Sequence, residues 1–163
     1  MLYRNGICEK HIFFEDAVRI PLIFSQPGVV PEGERSEALV SNIDILPTVL
    51  EACSVPLPDG LKIDGISFLA ELENRAVERD PRTLIIQAHR GDEPLLYHNF
   101  MARNGRWKLV HPSAFWRDTF EGEPDFQLYD LEIDPYELDD VSDAHPEIVT
   151  RLLGDYEAWF EDV

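Results

Sequence analysis

The spacing of apolar residues changes near residue 83, and the change predicts two architectures in succession. Arg19 to Gln26 is a nearly continuous apolar run closed by Pro27-Gly28, the pattern of a strand buried on both faces of a mostly parallel sheet. A loop rich in Gly, Pro and Glu follows over 29–37. Asp44 to Cys53 then reads as a helix, with Asp44 near the N-cap, Pro47 in the first turn, and Leu46, Val49, Leu50 and Cys53 on one face. Pro56, Pro58 and Asp59-Gly60 break the chain, Ser67 to Leu72 offers a short helix with Ser67 as its cap, and 73–82 is a charged surface connection.

From Thr83 onward the period shortens. Leu84-Ile85-Ile86 is strand-like, and Phe100 to Val110 holds two apolar segments across Asn104-Gly105, a pair that tolerates the positive φ of a type I′ hairpin turn. Phe126 to Leu131 supplies another strand. His145 to Phe160 returns to helical spacing, with Ile148, Leu152, Tyr156 and Trp159 or Phe160 on one stripe and Pro146 in the first turn. The simplest packing is a small antiparallel sheet closed by the terminal helix, so an α/β fragment over 1–80 is followed by an α+β subdomain over 81–163.

The chain has 163 residues, 44% of them hydrophobic, enough for one sizeable core or two small layers. A formal net charge of −18 argues against nucleic acid as a partner, because phosphate neutralisation needs clustered Lys and Arg. No segment approaches the length of a membrane span, and no positively charged start leads into a long apolar run, so neither a membrane partner nor a leader is expected, and the compartment is left open. Cys8 and Cys53 are too few for a disulfide framework and are read as free thiols.

Motifs exclude several chemistries. His11, His89, His98, His111 and His145 show no His-Glu-x-x-His or Cys-His spacing, so no zinc site is expected. The acidic run through Asp130, Glu132, Asp134, Glu137, Asp139, Asp140 and Asp143 fails as a calcium loop, since Pro135 stands where glycine is needed and Val141 where the bidentate glutamate belongs; a solvated acidic loop is the expectation. Gly65-Ile66-Ser67-Phe68-Leu69 lacks the second glycine of a nucleophile elbow. Glu15 and Arg19, four apart, are placed to form a structural ion pair on one helical turn. Trp107, Trp116 and Trp159 are read as packing aromatics, with Trp116, beside Phe115, also placed to line a substrate entrance.

One constellation points to a reaction. The stretch from Glu9-Lys10-His11 through Phe24, with Val40 to Leu50, Asp59-Gly60, Asp64-Gly65, Gly105-Arg106-Trp107-Lys108-Leu109-Val110 and Leu128 to Glu137, resembles in order and spacing the C-terminal part of formylglycine-dependent sulfatases of the alkaline phosphatase superfamily. The resemblance implies an alkaline phosphatase-like fold and hydrolysis of a sulfate ester by a hydrated formylglycine, made within a Cys-x-Pro-x-Arg-like motif, beside calcium or another divalent cation. Neither thiol fits that motif. Cys53-Ser54-Val55-Pro56-Leu57 places proline one position late and leucine in place of arginine, and no proline follows Cys8. The acidic metal-binding motif of similar enzymes falls ahead of the segment that opens this chain, so no metal ligand and no cofactor of its own are expected here.

What the resemblance does carry over is Lys10, placed where similar enzymes hold a lysine against the sulfate and the nucleophile. A compact ammonium suits the neutralisation of a sulfate oxygen. The alternative is a solvated turn lysine. His89, in His89-Arg90-Gly91-Asp92 after a strand, is the candidate for substrate binding, against the reading of a satisfied loop histidine. Two functions from different classes follow: the C-terminal region of a sulfatase-type hydrolase, inactive alone and meeting its sulfate-ester substrate only when completed by an N-terminal portion, or a noncatalytic truncated module that acts in oligomerisation or partner binding.

Overall fold

A computed structural model describes residues 12–75, 81–113, 120 and 122–163. In chain order its helices and strands are α1 (Glu15–Val18), α2 (Ile45–Ala52), α3 (Leu69–Leu72), β1 (Leu84–Gln87), β2 (Phe100–Asn104), β3 (Trp107–His111), β4 (Gln127–Asp130) and α4 (Pro146–Asp162). The chain divides into two compact units. The first joins the residues up to Ile20 with Pro81–Val163, and the second is Pro21–Asp80. Residues 12–20 thus group with the C-terminal residues rather than with those that follow them.

The first unit is a four-stranded sheet in the order β1-β2-β3-β4 with every pair antiparallel. Alternation along the strands sorts side chains between two faces. Phe100, Ala102, Leu109 and Leu128 point to α4, where Leu152 and Tyr156 complete a fully buried cluster. Phe100 stacks on Tyr156 with ring centroids 3.8 Å apart, and the Tyr156 hydroxyl accepts from the Tyr97 amide at 2.9 Å. Met101, Val110 and Tyr129 pack on the other face, with Phe14 edge-on to Tyr129. The expected sheet and closing helix are therefore present, and the helix stripe Ile148, Leu152, Tyr156, Trp159 and Phe160 is the one that packs.

The hairpin turn differs in detail from expectation. Asn104 still pairs with Trp107, so the two central residues are Gly105 and Arg106. Only Gly105 of the two has a positive φ, +57°, which matches type II′ rather than type I′. The Asn104 amide is held in the ladder by its side chain, whose Nδ2 donates to Thr83 Oγ1 at 3.1 Å.

In the second unit a Ser41 capping motif opens the helical region. The Ser41 amide donates to Asp44 Oδ2 at 2.7 Å, and a 3-10 turn over Asn42–Asp44 leads into α2. Asp44 is fully buried and does more than cap: its Oδ1 accepts the Ile66 amide at 2.8 Å. One turn on, Thr48 Oγ1 donates to the Asp44 carbonyl at 2.6 Å and accepts the Phe68 amide at 3.0 Å, so the two side chains stitch 66–68 onto the start of α2. Gly65 passes directly over the Ile43 carbonyl, where a Cβ would stand 2.0 Å from the oxygen.

Two expectations for this region are corrected. Arg19 to Gln26 forms no strand; Leu22 and Ile23 are 41% and 88% exposed. A strand exists by its ladder, and none of the four strands pairs with this run, so the mostly parallel layer is not formed among the described residues. On α2 the buried residues are Pro47 and Thr48, while Leu46 and Val49 face outward. Attachment through Asp44 and Thr48 rotates the predicted apolar stripe away from the unit's interior.

Candidate functional site

The sheet face opposite α4 carries two cations directly across from each other, because the register pairs Arg103 with Lys108. Like charges so placed repel unless a carboxylate lies between them. Glu15 supplies it: Oε2 accepts from Arg103 Nη1 at 3.0 Å and Oε1 from Lys108 Nζ at 3.0 Å. Lys108 is completely buried and meets a second carboxylate, Glu137 Oε1, at 2.8 Å. Glu137 closes the ring, its Oε2 accepting the Glu15 amide at 2.5 Å. Two cations and two carboxylates thus balance within one buried group, as a buried lysine requires.

Local structure aims each member. Glu137 has φ +56°, a left-handed conformation that a non-glycine residue adopts only when its surroundings impose it. The imposing group is Asp134, whose carboxylate accepts the amides of Leu138 at 2.6 Å and Asp139 at 2.9 Å. Asp140 likewise accepts the amides of Leu128 at 2.9 Å and Ser142 at 2.9 Å. Desolvation pushes the Glu137 carboxyl above its ordinary value, against the pull of Lys108. Asp130 shows the reverse. Its bidentate hydrogen bonds from Arg106, Nε to Oδ1 at 2.7 Å and Nη2 to Oδ2, hold it below its ordinary value. The acidic run is therefore a framework of amide acceptors and ion pairs, which corrects the expectation of a merely solvated loop.

The ion pair expected between Glu15 and Arg19 is also corrected. Glu15 pairs with Arg103, and Arg19 is exposed, because α1 is a single turn that turns Glu15 toward the sheet. Lys10, Cys8, His11, Phe115 and Trp116 lie outside the described residues. Lys10 stands five residues before Glu15 in the chain. His89 is half-buried in its loop, 3.1 Å from the Gly91 carbonyl through Nδ1. A carbonyl only accepts, so Nδ1 carries the proton and Nε2 is left for another partner. The structure does not bring His89 into the Glu15 group. Cys53 is a free, exposed thiol.

Sequence reasoning missed Lys108 and Arg103. Their signal was there: Lys108 sits inside the apolar strand segment Trp107-Lys108-Leu109-Val110, and a lysine at a buried strand position needs a counter-charge. Among the described residues no group of three or more His, Cys, Asp or Glu is arranged to hold a metal ion. Glu15, Glu137, Asp130 and Asp134 are already engaged by Lys108, Arg103, Arg106 or backbone amides, so the described residues do not fit the divalent cation that the resemblance implies.

Comparison with known proteins agrees with this architecture. The family described as "N-sulphoglucosamine sulphohydrolase, C-terminal" matches residues 4–155. An N-acetylgalactosamine-6-O-sulfatase of Bacteroides thetaiotaomicron is 31% identical across 93% of this chain, and a choline-sulfatase of Rhizobium meliloti 30% identical across 88%. The chain spans 28% and 25% of the length of those relatives. Among solved structures, a protein in complex with its substrate D-glucosamine-2-N,6-O-disulfate superposes over 99% of this chain and 33% of its own, with a TM-score of 0.73 at 24% identity, and a 2-O glycosaminoglycan sulfatase covers 73% of this chain and 25% of its own with a TM-score of 0.54. The antiparallel sheet with its terminal helix, the ordered motifs and these matches together place the chain in the sulfatase family, as a C-terminal sulfatase region.

Proposed function

We infer that this chain acts as the C-terminal region of a sulfatase-type hydrolase, contributing to sulfuric ester hydrolysis in a complete enzyme and inactive alone. The observation that supports this most directly is the Glu15, Lys108, Glu137 and Arg103 group, because it ties α1 to the sheet and to the acidic loop within a region matched to the family from residue 4 to 155. In this reading the Lys10 ammonium neutralises a sulfate oxygen as charge grows on it, and His89 offers Nε2 to a substrate hydroxyl. The attacking group and the cation are assigned to no described residue. The named relatives act on carbohydrate and choline esters, so the substrate class is a sulfate ester and no finer.

The test is hydrolysis of an aryl sulfate with calcium present. The purified chain is expected to show no turnover, whereas Lys10→Ala placed in a complete enzyme carrying this region is expected to lower kcat by about a hundredfold or more. Turnover by the chain alone that disappears in Lys10→Ala would overturn the reading. A second reading, a noncatalytic module that associates through apolar surface, is favoured by the exposure of Leu22, Ile23, Leu46 and Val49. Size-exclusion chromatography decides it: a monomer at every concentration removes the oligomeric form.

A further inference from the structure

We propose that the open cleft between the β1 edge of the sheet and α4 is a saccharide site that takes a neutral pyranose unit of a glycan chain. The cleft holds about 510 Å³, and its lining includes Thr83, Ile85, Asn104, Arg151, Asp155 and Trp159. Arg151, Asp155 and Trp159 stand four apart on α4, so the row begins at the exposed Arg151 and ends at Trp159, a half-buried edge member of the stripe that packs on the sheet. A pyranose offers an apolar C–H face and a rim of hydroxyls that both donate and accept. The cleft offers the complement. Trp159 and Ile85 supply apolar surface, and the polar side is a directed chain in which Asn104 Nδ2 donates to Thr83 Oγ1 at 3.1 Å and Thr83 donates to Asp155 Oδ2.

The direction of that chain leaves specific atoms over. With Thr83 Oγ1 used twice, Asn104 Oδ1 and Asp155 Oδ1 remain as acceptors, and the exposed Arg151 guanidinium, without an ion pair among the described residues, remains as a planar fork of donors. A planar donor fork and a carboxylate oxygen suit neighbouring hydroxyls on one ring. Charge selects against an acidic ligand: Arg151 is offset by Asp155 within the cleft, and the chain as a whole carries −18. An open cleft suits an internal unit of a polymer better than an enclosed single sugar.

The test is a titration of the 15N-labelled chain with neutral hexasaccharides of the cello, malto and chito series, and with a hyaluronan hexasaccharide as the charged counterpart, each to about 20 mM. At least one neutral series is expected to give saturable shifts confined to Thr83, Asn104, the 151–159 turns and the Trp159 indole. Asp155→Ala and Arg151→Ala are each expected to weaken binding by about tenfold. Arg151 is exposed, so its variant keeps the fold, as an unchanged thermal midpoint verifies. Absence of saturable shifts in all neutral series, shifts centred elsewhere, tighter binding of hyaluronan than of every neutral sugar, or binding undiminished in both variants would each overturn the proposal.

Discussion

The sulfatase region is held at the residue scale by charges that neutralise one another out of water. Lys108 is the member with no other recourse, being fully buried between Glu15 and Glu137. Lys108→Met keeps the length of the side chain but leaves Glu15 with Arg103 as its one cation and removes the cation that meets Glu137, so urea unfolding is expected to show a loss of about 3 kcal/mol or more. Glu137 and Asp130 respond to pH in opposite senses. The Glu137 carboxyl is raised in the folded chain, so its contribution is complete below its ordinary value of 4.5 and declines as pH rises through the folded value. The Asp130 carboxyl is lowered, so its contribution is complete above its ordinary value of 3.8 and is lost as pH falls. Thermal midpoints measured from pH 6 down to about 2 should therefore fall less steeply in Asp130→Asn than in the unaltered chain. An equally steep acid limb in both would show that the Arg106 bond is not what depresses Asp130.

Among the elements, the strands and the terminal helix follow period and burial, while α2 follows polar stitching. Leu152 is fully buried against the sheet, whereas Leu46 on α2 is 51% exposed, though both sit on stripes that the sequence marks as apolar. Leu152→Ala is expected to cost about 3 kcal/mol and Leu46→Ala less than about 0.5 kcal/mol, by the same unfolding measurement. Gly65→Ala tests the stitching itself. Its Cβ would meet backbone, the Ile43 carbonyl, rather than a side chain that can move aside, so the Asp44 to Ile66 and Thr48 to Phe68 bonds cannot all survive. Amide exchange is expected to accelerate at Ile66 and Phe68 while the sheet remains protected. The hairpin shows the same competition on a smaller scale: Asn104-Gly105 marks the right place, but Asn104 bonds Thr83 and stays in the ladder, which moves the turn one residue on.

For the whole molecule, apolar surface sets the behaviour. Leu22 and Ile23 read as buried strand and stand exposed, and Leu46 and Val49 read as buried helix face and stand exposed. Surface of that kind favours association, so Leu46→Ser with Ile23→Ser is expected to raise the soluble concentration of the chain without lowering its thermal midpoint, read by light scattering and calorimetry. The sequence alone determined the order of the motifs, the family they resemble, the four strands, the terminal helix and the stripe it buries, because these depend on local period and turn chemistry. Only the tertiary structure decided that Glu15 pairs with Lys108 and Arg103 rather than Arg19, that Glu137 turns inward from an acidic loop, and that the run after Arg19 is no strand. Each of those outcomes depends on which group lies across a register or beside a chain distant in sequence, and a buried charge or an unpaired strand takes its energy from that neighbour rather than from its own position in the chain.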